Sequence, residues 1–148
     1  MNTQEAQQDP VIKMDILILQ IFKLLMKNKK QILDKLGLTC SQFDILTAIH
    51  YFSTIKTDTI QMDLSEKTGI DPMTTSTILR NLERKELITR RRSMINTRTV
   101  LVGLTPEGSK LLEQATMRIR LSRTEIYRNI DKDKLTTQLL KILKKLNN

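Results

Sequence analysis

The hydrophobic spacing of this chain changes period between residues 82 and 100, and that change restricts the fold more than any other feature. Thr75, Ile78, Leu79 and Leu82 recur at the i, i+3, i+4, i+7 spacing of an amphipathic helix. Past Lys85, Leu87-Ile88-Thr89 runs into Arg90-Arg91-Arg92, and Val100, Val102 and Leu104 then alternate at the period of a half-buried strand. The intervening Ser93-Met94-Ile95-Asn96-Thr97 is turn-like, so residues 87–104 are expected to form a β-hairpin. Helix starts bound both sides of this switch. Asp71-Pro72 supplies a favoured N-cap and a proline at the first helical position, where its missing N–H costs nothing, and Thr105-Pro106 repeats the arrangement.

Around this centre the pattern is helical. Between Val11 and Leu36 apolar residues are so dense that a helix there is apolar around much of its circumference, and in so small a protein a second chain is the natural source of contacts. Gly37 is placed to end that helix and Ser41 to cap the next, which carries Phe43, Ile45, Leu46, Ile49 and Phe52. Ser53 to Asp58 reads as a polar connection, followed by a short helix around Met62, Leu64 and Ser65 that closes at Thr68-Gly69. After Pro106 a helix is expected to bury Leu111, Leu112, Ala115 and Ile119 and to continue toward Ile126 and Ile130. Asp131 then caps a last helix with Leu135, Leu139, Ile142, Leu143 and Leu146 on one stripe. The expected fold is mainly α with a small β-hairpin wing (α+β). It is a winged helix-turn-helix at residues 37–105, flanked by dimerisation helices at 1–36 and 106–148.

Composition narrows what such a fold does. The chain has 148 residues, enough for one core, and a formal charge of +9. Residues 71–105 carry 7 bases and 3 acids and residues 106–148 carry 10 and 5, so the excess lies in the second half. One cysteine, Cys40, excludes an intrachain disulfide and fits a reducing compartment. The N-terminus lacks the basic-then-apolar order of a signal peptide. Ile16 to Met26 is shorter than the roughly 20 residues that cross a bilayer, and Lys23 interrupts it. A cytoplasmic protein with no membrane role is expected. Neither a glycine-rich phosphate loop nor a clustered carboxylate pair occurs, and no metal ligand set or cofactor motif, so an enzyme is not expected.

With its buried face fixed, the helix after Asp71 turns Thr74, Thr77, Asn81 and Arg84 outward, flanked by Met73, Ser76 and Arg80. The second helix of a helix-turn-helix enters the major groove and uses its N-terminal residues on base edges. Hydroxyls there can meet phosphates, bases or thymine methyls, and free first-turn N–H groups can hold a phosphate. The competing reading of the run Thr74 to Thr77 is that hydroxyl residues serve as caps near helix starts. Arg90, Arg91, Arg92 and Arg98 decorate the hairpin, either as a solvated face or as contacts to phosphate and a narrow minor groove. His50, the only histidine, reads as a core or interface residue or as a ligand contact. Cys40 reads as structural or as the centre of a thiol-based redox regulator. The methionines read mainly as core fillers, with Met14 and Met26 as possible pocket walls.

Four ordered blocks carry a resemblance: Leu38-Thr-Cys-Ser-Gln-Phe-Asp-Ile-Leu46, Leu64-Ser-Glu-Lys-Thr-Gly-Ile-Asp-Pro72, Leu79-Arg-Asn-Leu-Glu-Arg-Lys-Glu-Leu-Ile88 and Arg98-Thr-Val-Leu-Val-Gly-Leu-Thr-Pro-Glu-Gly108. Together they resemble the MarR family of bacterial transcriptional regulators over nearly the whole chain after about residue 10. The resemblance implies a homodimer, most simply a repressor, whose terminal helices interlock. Two winged domains would then lie on double-stranded DNA at a pseudo-palindromic operator, with half-sites about one helical turn apart. It implies DNA contacts from Thr74, Ser76, Thr77, Arg80, Asn81 and Arg84 in the major groove, from Arg98 in the minor groove, and from Arg90, Arg91 and Arg92 on the backbone. It also implies modulation by a small aromatic or phenolic effector, with Met14, Met26 and His50 the candidate pocket residues. The chain departs from the family pattern at four points. Asn96-Thr-Arg98 replaces the usual Asp-x-Arg of the wing. Thr77 stands where Arg is frequent, with Arg80 a candidate to compensate. Glu86 replaces a glycine, and Met94-Ile95 occupies a wing tip that is usually more polar. Packing under the hairpin is the expectation for that pair, with contact to DNA sugars the alternative. The alternative function class is a winged-helix protein-interaction module whose basic face serves only solubility.

Overall fold

A computed structural model describes residues 2–55 and 58–148. Its elements are α1 (Thr3–Gln8), α2 (Pro10–Asp34), α3 (Cys40–Ile55), α4 (Gln61–Thr68), α5 (Pro72–Arg84), β1 (Ile88–Arg92), β2 (Val100–Leu104), α6 (Pro106–Ile126) and α7 (Lys132–Leu146). The expected order of helices and hairpin stands, with a separate α1 ahead of the helix expected from Val11. Asp9-Pro10 separates α1 from α2 by the same device seen at Asp71-Pro72: Asp9 Oδ1 accepts from the Val11 and Ile12 N–H groups at 2.8 and 3.2 Å. The chain divides into two compact units, Met1–Ala115 and Thr116–Asn148. No helix of the described residues is long and apolar enough to cross a membrane.

The first unit holds the core. Leu33, Ile45, Leu46, Ile49, Leu64, Leu79, Leu82 and Thr75 are its largest fully buried side chains, so α2, α3, α4 and α5 all contribute. Helix α2 ends as expected at Gly37, whose φ of 71° is left-handed, while the Leu38 N–H reaches back to Leu33 O at 3.0 Å. The cap of α3 is Thr39 rather than Ser41. Thr39 Oγ1 accepts from the Gln42 N–H and Gln42 Oε1 accepts from the Thr39 N–H, both at 3.0 Å, a reciprocal pair that starts the helix at Cys40 and leaves Ser41 inside its first turn. Helix α3 also runs further than expected. Ser53 and Thr54 donate their hydroxyls to His50 O and Tyr51 O and stay helical instead of leaving the helix. Lys56 and Thr57, within the expected polar connection, lie outside the described residues.

Strands β1 and β2 pair antiparallel from Ile88↔Leu104 to Arg92↔Val100. Thr59 and Ile60 add a third, very short pairing on the free side of β2: Ile60 bridges Leu101, and the Val102 N–H donates to Thr59 O at 2.8 Å. Helix α6 begins hard against the hairpin root. Thr105 Oγ1 donates to Glu86 O at 2.7 Å and accepts from the Gly108 N–H at 3.0 Å. A Cβ at residue 108 would stand 1.9 Å from Leu87 O, a backbone atom, so only glycine allows this approach. Along α6, Leu112 and Ala115 are buried as expected. Leu111 and Ile119 are half-buried, and Ile126 and Ile130, in the second unit, are exposed. Asp131 caps α7 through Lys134 N at 3.1 Å, yet α7 buries none of its residues.

Candidate nucleic-acid interface

The turn between α4 and α5 sets the direction of α5. Gly69 sits at φ 72°, and its N–H closes α4 on Ser65 O at 2.9 Å. The next carbonyl, Ile70 O, accepts two hydroxyls, Ser65 Oγ at 2.6 Å and Thr75 Oγ1 at 3.2 Å. Both hydroxyl residues are buried, so these bonds meet the requirement that buried polar atoms be paired and also lock the two helices at one angle. At its other end α5 is tied down by Lys85, which donates from Nζ to Gly37 O at 2.7 Å.

The hydroxyl run of α5 divides by role. Thr75 is core, with no solvent exposure. Thr74 is a capping partner: its N–H and its hydroxyl both donate to the Asp71 carboxylate, at 2.8 and 2.6 Å. The Thr74 hydroxyl, followed by the Thr74 N–H, holds the Asp71 carboxyl below the usual carboxylate range. This end of the helix already carries its own anion, which takes the place of the phosphate that free first-turn N–H groups would hold. With its hydroxyl hydrogen bonded to Asp71, exposed Thr74 keeps its oxygen lone pairs as acceptors, suited to the amino group of adenine or cytosine. Ser76 is half-buried, and Thr77 is exposed.

Further along, the outward face is pre-arranged by contacts within the helix. Arg80 Nη2 donates to Thr77 Oγ1 at 3.3 Å, which brings its guanidinium back over the turn where the MarR pattern often has Arg. Arg84 Nη1 donates to Asn81 Oδ1 at 3.2 Å, leaving the Asn81 amide group to donate outward.

The hairpin arginines are not equivalent. Because strand side chains alternate, Arg90 shares the inner face with Ile88, Val102 and Leu104, and Arg91 shares the outer face with Thr89 and Leu101. Arg90 accordingly pairs with Glu83 of α5 at 3.1 Å and is half-buried, with its Nε buried and unpaired. It braces the wing root against α5 and leaves Arg91, Arg92 and Arg98 as the exposed cations of the hairpin. The period-2 pattern already contains this distinction, since Arg90 is two residues from Ile88. At the tip, Asn96 Oδ1 accepts from the Arg98 N–H at 3.1 Å, so Asn96 positions Arg98 through its backbone rather than through its guanidinium. Met94 and Ile95 do not pack under the hairpin. They are 93% and 97% exposed, since the turn directs both side chains away from β1 and β2.

The other candidate residues lie elsewhere. Cys40 is the first residue of α3 and half-buried. His50 is exposed, which removes its reading as a core histidine within one chain. Met14 is exposed and Met26 half-buried, and neither they nor His50 line the groove of about 360 Å³ formed by Phe43, Asp44, Thr47, Ala48, Tyr51, Lys67 and Thr68. In that groove Lys67 Nζ stands 4.1 Å from the Tyr51 ring centre.

Residues 27–115 match the family described as Transcriptional regulator SarA/Rot. A curated relative from Bacillus subtilis (strain 168), the Organic hydroperoxide resistance transcriptional regulator, is 35% identical over 91 residues, which is 60% of this chain and 58% of that protein. A second, the HTH-type transcriptional regulator YdgJ of the same organism, is 27% identical over 76% of this chain and 65% of its own length. The chain thus spans about three fifths of the curated relatives it matches. Among solved structures, a mutant of S. aureus MepR is 25% identical, covering 90% of this chain and 96% of that one, with a TM-score of 0.75. Another MepR mutant, bound to an oligodeoxyribonucleotide, is 26% identical over 90% and 95%, with a TM-score of 0.64. These relatives are regulators rather than enzymes. With the turn-locked helix α5, the braced hairpin and a family match over more than half its length, this chain belongs to the SarA/Rot family of transcriptional regulators and has the winged helix-turn-helix fold of MarR-type proteins.

Proposed function

We propose that this protein is a sequence-specific, DNA-binding transcriptional regulator of the cytoplasm that works as a homodimer and represses by occupying its operator. One observation carries the reading: α5 buries Thr75, Ile78, Leu79 and Leu82 and turns Thr77, Arg80, Asn81 and Arg84 outward, beside a hairpin whose exposed cations are Arg91, Arg92 and Arg98. In this reading α5 lies in the major groove. There Thr74 and Asn81 read base edges, Ser76 and Thr77 make short polar contacts, and Arg80 and Arg84 reach bases or phosphates. Arg98 enters the minor groove, Arg91 and Arg92 neutralise the backbone, and Arg90 acts indirectly by holding the wing. The MepR structure with an oligodeoxyribonucleotide supports this placement by similarity of fold and sequence.

The dimer is supported by apolar surface that one chain leaves uncovered. On α2, Val11, Met14, Leu17, Leu19, Phe22 and Leu24 are each about half exposed or more, and Leu139, Leu143 and Leu146 of α7 are the same. The assignment of the wing is tested by Arg98→Ala in a gel shift at several fixed salt concentrations. The expected result is weaker binding across most sequences and a salt slope smaller by about one per lost cation contact. Unchanged affinity would remove Arg98 from the interface.

A further inference from the structure

Met94 and Ile95 have the highest exposures of any large apolar side chains among the described residues, and they are adjacent. Single exposed apolar residues are ordinary, but two together at the tip of a hairpin are not explained by chance leftover surface. The tip is also a built turn. Ser93 Oγ accepts from the Ile95 and Asn96 N–H groups at 3.2 and 3.3 Å, Ser93 N–H donates to Thr99 O at 2.8 Å, and Thr99 N–H donates to Asn96 O at 2.9 Å. Arg92 Nη1 adds a bond to Thr97 O at 3.2 Å. These bonds hold the tip in one turn and leave the two apolar side chains exposed on it.

The surroundings select the partner. From Leu87 to Thr105 the hairpin carries four arginines and no acid, so the surface it approaches is anionic. An anionic lipid surface would call for a broad apolar face, whereas the neighbouring outward face of α5, apart from Met73 in its first turn, is hydroxyl, amide and guanidinium. A DNA minor groove offers both requirements within a few ångströms: phosphates at its edges and apolar deoxyribose walls inside, which apolar side chains of other proteins enter at deformable base steps.

We propose that Met94 and Ile95 enter the minor groove as an apolar pair beside Arg98, packing on the deoxyribose walls and favouring a deformable pyrimidine–purine step there. This rests on the DNA-binding reading above and adds a contact that is not ionic. An apolar contact releases no counterion, so its loss lowers affinity without changing the salt dependence.

The test compares the intact protein with M94Q/I95T, which keeps shape and loses apolar surface, with M94L/I95V, which keeps apolar surface, and with R98A. Each is titrated on operator DNA obtained by selection from genomic fragments with the unaltered protein, over a range of salt. The expected results are a loss of about tenfold for M94Q/I95T with an unchanged salt slope, affinity within about twofold for M94L/I95V, and a reduced slope for R98A. Wild-type affinity in M94Q/I95T overturns the proposal, as does a slope that falls with it as in R98A, or an equal loss in M94L/I95V. If the unaltered protein selects and binds no DNA, the functional reading fails and this proposal with it. If it binds and only the tip variants match wild type, the tip assignment alone fails.

Discussion

Several single residues do something other than their spacing implies. Thr74 and Thr77 are neighbours in one hydroxyl run, yet Thr74 spends its proton on Asp71 while Thr77 supports Arg80. Glu86 is the clearest strained position: it holds φ 60°, left-handed for a side-chain-bearing residue, between the end of α5 and β1. The Leu87 N–H closing on Leu82 O at 3.0 Å and the Thr105 hydroxyl on Glu86 O keep it there. The departure from the family's glycine therefore costs stability without changing the turn. Glu86→Gly is expected to raise stability by about 1 kcal/mol, the relief of the left-handed strain less the added freedom of the unfolded chain. Urea unfolding would show this as a higher midpoint at constant slope, and a lower midpoint would mean that the Glu86 side chain contributes more than its backbone costs.

Among the elements, α5 and the hairpin were the most readable from sequence, because each carries two independent signals. Asp71-Pro72 marks where α5 starts and the spacing from Thr75 to Leu82 marks which face is buried, while the valine alternation marks β2. What escaped had only one signal or none. The Thr59-Ile60 pairing is two residues long, too short for any period. Ser53 and Thr54 look like loop residues because hydroxyls compete for backbone bonds, and here they do so without leaving α3. The bracing role of Arg90 follows from strand alternation, which a reading of Arg90 to Arg92 as one basic cluster overlooks. The cap of α5 has a consequence for pH. The Asp71 carboxyl lies below its ordinary range in the fold, so its stabilising contribution is complete above the unfolded-state value and is lost as the pH falls through the folded-state value. Asp71→Ala should lower the thermal midpoint at neutral pH, and the gap to wild type should begin to narrow below about pH 4, the unfolded-state value, and close as the pH falls through the lower folded-state value. A gap that persists with Asp71 protonated would show that the cap does not depend on its charge.

At the scale of the whole molecule, two surfaces remain open in one chain: the cationic, hydroxylated face of α5 with its wing, and the apolar stripes of α2 and α7. The proposed homodimer covers the second and doubles the first. Leu17→Glu combined with Leu139→Glu places two carboxylates on those stripes in each protomer, and symmetry doubles the effect. Each buried leucine is worth about 1.5–3 kcal/mol, so dimer affinity should fall at least about a hundredfold and sedimentation should report monomer. An unchanged dimer would place the interface elsewhere.

Whether the paired winged units read DNA sequence is decided by incubating the purified protein with random genomic fragments at low salt, recovering bound DNA and sequencing it. The expected result is a small set of enriched fragments sharing a pseudo-palindrome, with half-site centres about one helical turn apart. Recovery of no DNA above background would contradict it and favour a protein-interaction module. Uniform recovery without a shared site would reduce the basic face to non-specific attraction.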